Sequence, residues 1–251
     1  MDDSLEPSFE LAERTLPAPL LASLVDLFEG GLTDSVLVGG TALSGFYAAH
    51  RRSDDLDIYT ESPDSFRAAG LAVRGLAARG VSFGDGFSSA HYQRTSCERA
   101  GHRFTIDLVL DARFFEVGKW HAIEKGICVA SLETLLMMKS AALVSRASEK
   151  DLYDLIWLFG RFPDLTLDAF IEHGQRIDAG LNRESLLLSV SGAELHKAAC
   201  GFALDPSLDA ARVLAQIGSF RAQLVRELAD IRKVKPPVQL EQIVKRVKKL
   251  R

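Results

Sequence analysis

VLVGGTALSGFYAAHRRSDDLDIYT, residues 36–60, decides the fold of this chain. A short β-branched run, Ser35–Val38, reads as a buried strand that enters a turn at Gly39 and Gly40, and Thr41–His50 continues as a helix. A basic connection then leads into a second strand carrying two aspartates one residue apart. Strand side chains alternate, so Asp55 and Asp57 share one face while Leu56 and Ile58 take the other. Two carboxylates roughly 5 Å apart, at an effective dielectric of about 20, repel by on the order of 3 kcal/mol. Rigid structure that keeps such a pair calls for a cation between them.

Outward from this stretch, Leu16–Glu29 shows apolar residues at helical spacing after Pro17 and stops at Gly30-Gly31, and Ser65–Arg79 forms another helix ended by Gly80. Val81–Phe83, Phe87–Thr95 and His102–Leu110 read as strands, with turns at Asp85-Gly86 and Ala100-Gly101. In the last of these, Phe104, Ile106, Leu108 and Leu110 form one face, and Arg103, Thr105 and Asp107 the other. From Ser131 onward the pattern is helical: Ser131 to about Ser145, Glu149–Phe159 behind Ser148, Leu167–Arg176, Arg183–Val190, Gly192–Ala199 and Ser207–Arg232, with Pro236-Pro237 before a last short helix. The expected architecture is α+β: a mixed sheet with flanking helices over residues 1–130, then a helical C-terminal domain over residues 131–251.

Composition narrows the chemistry. The 251 residues are 47% hydrophobic and 25% charged, ordinary values for a soluble globular protein. A net charge of −4 and a pI near 5.9 leave any nucleic-acid contact to a local patch. Cys97, Cys128 and Cys200 are odd in number and lack CxxC spacing, which argues for a reducing compartment and against a zinc site or a disulfide scaffold. The start, MDDSLEPSFE, has no signal-peptide character, and no uncharged apolar run reaches membrane-spanning length, so a cytoplasmic location without membrane contact is expected.

The glycines, lacking Cβ atoms, let backbone N–H groups approach a phosphate. Asp55 and Asp57 offer hard oxygen ligands suited to Mg²⁺, and Asp107 is the candidate third carboxylate. Each part has a bland reading too: a tight turn, an exposed acidic strand end, and for Asp151 a capping pair with Ser148. Asp154 could pair with Lys150, Met137 and Met138 read as core, and the histidines show no metal-ligand spacing. His50, Arg51 and Arg52 either reach phosphate or RNA or form a surface hinge. Lys139 and Arg146, seven apart, share a helix face that either lines a nucleotide cleft or is solvated. The tail VQLEQIVKRVKKLR pairs an apolar stripe with a basic face, either a contact for RNA phosphates or a solubilising helix.

GGTAL, HRRSDDLDIY and KSAALVSRASEKDLYDL together resemble the AbiEii family of nucleotidyltransferases, toxin components of toxin–antitoxin and abortive-infection systems within the polymerase-β-like superfamily. The resemblance runs from about Val36 to Phe159. It implies that Gly39, Gly40 and Thr41 contact the triphosphate of an NTP, that Asp55 and Asp57 hold Mg²⁺, that Lys139 neutralises phosphate charge, and that Asp151 is a base or positioning group. It further implies NMP transfer to an acceptor, such as the 3′ end of tRNA, and a cognate antitoxin protein as partner. The alternatives are a nucleotide-binding regulator without catalysis, or a nucleotidyltransferase that modifies a protein or small molecule.

Overall fold

The computed structural model describes residues 5–32 and 34–230. Its centre is a seven-stranded mixed sheet in the order β3-β4-β5-β2-β1-β7-β6. The strands are β1 (Ser35–Val38), β2 (Asp55–Thr60), β3 (Ser82–Ser88), β4 (Tyr92–Arg99), β5 (His102–Leu110), β6 (Trp120–Ala122) and β7 (Cys128–Ala130). β2 runs antiparallel to β1 and parallel to β5. All four residues of β1 are buried, as an apolar central strand requires, whereas β2 alternates with Leu56 and Ile58 fully inside. Burying each such aliphatic side chain contributes roughly 1.5–3 kcal/mol. The α+β reading holds.

Helices cover both faces. α2 (Ala18–Glu29) and α4 (Pro63–Gly75) pack against β5 on the apolar side. α4 starts in a capping box made by Ser62 and Ser65. α6 (Leu132–Ser145), capped by Ser131, crosses near α3 (Gly39–Leu43) on the acidic side. α7 (Glu149–Arg161), α8 (Leu167–Gln175), α9 (Arg183–Gly192) and α10 (Ala210–Ala229) build outward from α6. One apolar core continues from Leu20 and Ile58 through Leu136 and Leu155 to Val213.

The structure departs from the sequence reading in several places. The helix after β1 begins at Gly39, not Thr41, and relaxes at Ser44–Ala48 into a π turn closed by left-handed Ala49. β3 is continuous through Asp85-Gly86, which marks a register shift rather than a hairpin; the real turn lies at 89–91, where the Ser89 N–H donates to the Tyr92 carbonyl. A glycine inside a strand often signals such an irregularity. The helix expected over Gly192–Ala199 is absent: Gly192 ends α9, and only a short 3₁₀ turn follows at Lys197–Cys200. Two helices, α1 (Phe9–Thr15) and α5 (Ala112–Val117), the inner strand β7 and the edge strand β6 have no counterpart in the sequence reading. Among the described residues no helix is long and apolar enough to cross a membrane.

Candidate active site

Register brings the acidic residues together. Asp57 on β2 lies opposite Val38 on β1 and opposite Asp107 on β5, and Arg94 on β4 lies opposite Asp107 in turn. Gly39 follows Val38 with φ +70, a left-handed conformation natural to glycine, and a Cβ built there would collide with Asp57 Oδ2. The turn and the central carboxylate are thus in contact, and only glycine permits it. Gly40 is constrained from its other side, where a Cβ would strike the Arg51 guanidinium. Thr41 is fully buried and its hydroxyl donates to the Asp55 carbonyl at 2.5 Å, so it ties the turn to β2 and faces away from the cleft.

The carboxylates differ in compensation. Asp55 accepts from the Thr105 hydroxyl at 2.6 Å and lies 4.0 Å from Arg94. Asp107 accepts from the Tyr92 hydroxyl at 3.0 Å, with Arg94 Nε at 3.6 Å. For Asp57, burial and then the neighbouring charges of Asp107 and Asp55 push the pKa up to about 6. Burial also raises Asp107, against the opposing pull of Tyr92 and Arg94. Among the described residues no three His, Cys, Asp or Glu side chains converge into a ready metal cage. What fits a divalent cation is the chemistry: hard oxygen donors on adjacent strands whose mutual repulsion a cation would relieve. Asp57 and Asp107 open into a cleft of about 280 Å³ walled by Gly39 on one side and by Lys139, Arg146 and Asp151 on the other. Met138, read as core, lines this cleft, while Met137 is buried.

Lys139, Asp151 and Asp154 belong to a second, buried assembly. Lys139 Nζ lies 2.9 Å from Asp151 Oδ1 and 2.6 Å from Asp154 Oδ2. Asp154 is 0% exposed and also accepts from Arg51 Nε at 2.6 Å, Arg51 Nη2 at 2.9 Å and His50 Nε2 at 2.8 Å. The expected Asp154–Lys150 pair is therefore replaced by a network reaching across more than a hundred residues of sequence. His50 and Arg51 are neither a hinge nor exposed to phosphate: Arg51 is 2% exposed, and of that basic run Arg52 alone faces solvent. Ser148 caps α7, its hydroxyl accepting from the Asp151 N–H and donating to Asp151 Oδ2, a pairing the spacing suggested, and Asp151 pairs with Lys139 besides. Burial would raise Asp151, but Lys139, Ser148 and Arg146 outweigh it and hold the carboxyl below its ordinary range. Arg146, 72% exposed with Nε 3.4 Å from Asp151, is the exposed cation of the cleft wall, in contrast to buried Lys139.

Tyr92 and Arg94 had no signal of their own in the sequence; only their pairing with β5 brings them to the acidic face. The basic tail, with its proposed RNA contact, lies outside the described residues.

The chain was compared with known proteins. The model of the AbiEii family, described as a nucleotidyl transferase toxin of a type IV toxin–antitoxin system, matches residues 21–242. No curated protein sequence matches. Among solved structures, the nucleotidyltransferase toxin MenT4 of Mycobacterium tuberculosis superposes with a TM-score of 0.54 at 16% identity, covering 91% of this chain and 91% of that one. JHP933 of Helicobacter pylori superposes with a TM-score of 0.49 at 18% identity, covering 89% of this chain and 95% of that one.

Proposed function

We propose a mechanism for this chain, which belongs to the AbiEii family of nucleotidyltransferase toxins: it transfers NMP from an NTP to an acceptor hydroxyl, with Mg²⁺ held by Asp55, Asp57 and Asp107. The observation that carries this reading is the Asp57 carboxylate pressed beneath the Gly39 backbone, with Asp107 beside it on the adjacent strand. When bound, the divalent ion neutralises phosphate charge and draws the reacting oxygens together. The backbone amides at Gly39 and Gly40 approach the triphosphate, since no Cβ intervenes. Thr41 acts from behind, holding that turn against β2.

Lys139, claimed by two carboxylates, contributes field and position, and Arg146 is the side chain able to follow the phosphates. The acceptor oxygen attacks the α-phosphorus, the bond to the bridging oxygen breaks, and pyrophosphate leaves. Asp151 is already engaged by Lys139, Ser148 and Arg146, which leaves Asp107, on the strand beside Asp57, to take the hydroxyl proton. Asp151 therefore positions Lys139 rather than acting as base. The family resemblance supports an RNA acceptor such as the 3′ end of tRNA and a cognate antitoxin as partner. The change from sheet to helices after β7 supports a division near residue 130, with the cleft between sheet and helical unit.

The test is incubation with each α-labelled NTP, Mg²⁺, and either total RNA or a cell extract. Transfer that disappears with Asp57→Asn and with chelator supports the reading. Transfer that survives Asp57→Asn removes this site from the chemistry, and label on protein or small molecules instead of RNA changes the acceptor.

A further inference from the structure

The two glycines of the turn press on opposite partners. A Cβ on Gly39 would meet Asp57, whereas a Cβ on Gly40 would overlap Arg51 Nη2 and lie 3.3 Å from Arg51 Cζ and 3.0 Å from Ser53 Oγ. Arg51 therefore fills the space beneath the turn. Every nitrogen of its guanidinium is engaged: Nε donates to Asp154 Oδ1 at 2.6 Å, Nη2 to Asp154 Oδ2 at 2.9 Å and Nη1 to the Arg52 carbonyl at 2.9 Å. The backbone around it is pinned as well. The Arg51 carbonyl accepts from the Ser44 hydroxyl, the Arg52 N–H donates to the Phe202 carbonyl at 2.7 Å, and the Leu204 N–H donates to the His50 carbonyl at 3.1 Å. The oxygen that holds Nη2, Asp154 Oδ2, also lies 2.6 Å from Lys139 Nζ. One carboxylate oxygen of α7 thus fixes both the prop under Gly40 and the lysine on the cleft wall across from Gly39.

Resting on the function proposed above, we infer that Arg51 is a positioning residue for the nucleotide: held by Asp154, it props Gly40 so that the turn meets the triphosphate at a fixed separation from Lys139. Charge does not account for its place. Arg51, Lys139 and Arg146 stand among the carboxylates Asp154, Asp151 and Asp55, and His50, whose pKa burial lowers, is neutral at pH 7. Arg51 therefore brings no surplus charge to the turn. Stability does not account for it either, since well-packed apolar side chains can replace a buried ion pair at little or no cost. What arginine adds is direction, because its planar fork fixes an orientation as well as a contact. Asp154 cannot loosen without releasing both Arg51 and Lys139, so docking of α7 on the loop before β2 is a condition of tight NTP binding. Such geometry carries large factors, because a misplacement of about 1 Å costs about 100-fold.

Two variants test this. Arg51→Lys keeps the charge and loses the fork. Gly40→Ala keeps Arg51 and crowds it, with a methyl aimed at the guanidinium. Both are compared with wild type and with Val213→Ala, a cavity variant at a buried position of α10. The measurements are binding of each α-labelled NTP in Mg²⁺, transfer kinetics, and denaturation curves that fix the folded fraction. NTP affinity should be weaker by about 10–100-fold in both variants, with the KM for acceptor unchanged. Val213→Ala should be less stable and keep wild-type affinity. In the double variant the two losses should not multiply, because the shorter lysine leaves room for the methyl. Wild-type NTP affinity in folded Arg51→Lys, or in Gly40→Ala should Arg51→Lys not fold, overturns the inference. So do losses that multiply, or an equal loss in Val213→Ala, which would make the effect one of stability. Each of these leaves the nucleotidyltransferase reading intact. Absence of NTP binding and transfer in wild type overturns both.

Discussion

Asp55 and Asp57 on β2, and Asp151 and Asp154 on α7, are pairs of the same residue at close spacing, and Asp57 and Asp151 face one cleft from opposite walls, yet the chain treats the two pairs in opposite ways. Asp154 meets two cations and a histidine, and although burial alone would raise its pKa, Lys139, Arg51 and His50 hold it well below the ordinary range. Asp57 meets two more carboxylates, and burial with their charge lifts it to about 6. A charge the protein matches serves the fold, and a charge it leaves unmatched is available to a ligand.

The largest effect is expected from breaking the matched side. Asp154→Ala leaves Arg51 and Lys139 buried without their shared partner, which should cost about 3–5 kcal/mol. Chemical denaturation would show it, and loss of soluble protein would be the extreme form. A variant as stable as wild type would mean that the network contributes nothing to folding. Next comes Asp57→Asn, which should reduce transfer by about 10²–10³-fold while leaving the chain folded, and in the absence of divalent cation more stable than wild type. Joint loss of activity and fold would erase the distinction between the two walls.

Acidity provides a third test, because the two aspartates respond with opposite sign. A carboxylate whose pKa is higher folded than unfolded favours the fold while protonated; for Asp57 that contribution is complete below the ordinary value of 3.8 and gone once pH passes about 6. In chelator, the stability advantage of Asp57→Asn should therefore grow from nothing near pH 4 to roughly 3 kcal/mol at pH 8. Asp154 and Asp151, with lowered folded values, contribute above the ordinary carboxylate pKa, and that contribution fades as pH falls through their folded values. Denaturation curves recorded across this range, in which the Asp57→Asn gap stays flat, would refute the unmatched-charge account.

Much of the acidic wall was legible in the sequence and little of the matched wall was. Alternation alone sends Asp55, Asp57 and Asp107 to polar faces, and Gly39-Gly40 before a helix announces a close backbone approach. These are local patterns, and the parallel pairing of β2 with β5 then brought Asp107 beside Asp57. His50-Arg51 and Asp154 are about a hundred residues apart, and their alliance is set by how α7 packs on the loop before β2. Helical spacing offered Asp154 a nearer partner in Lys150, which tertiary packing overrode. Thr41 shows the same limit in one residue: a hydroxyl expected at a triphosphate is turned inward to a backbone carbonyl. Asp85-Gly86 failed for a different reason, since a bulge and a hairpin use the same residues.

The smallest effect, and the finest probe of how unmatched the acidic wall is, concerns Tyr92. Its hydroxyl donates to Asp107 at 3.0 Å, and with Arg94 it is the direct compensation that Asp107 receives. Tyr92→Phe removes one hydrogen bond at a partly exposed site, where water can replace the donor, so stability should fall by no more than about 1 kcal/mol. The bond favours the ionised form of Asp107, and losing it should move the acidic limb of the pH–rate profile upward and lower transfer only a few-fold. A profile that keeps its limb would show that Arg94 alone sets the charge state of Asp107. A loss as large as that of Asp57→Asn would make the phenol a participant in the chemistry, and the acidic wall would then hold a reacting group besides its carboxylates.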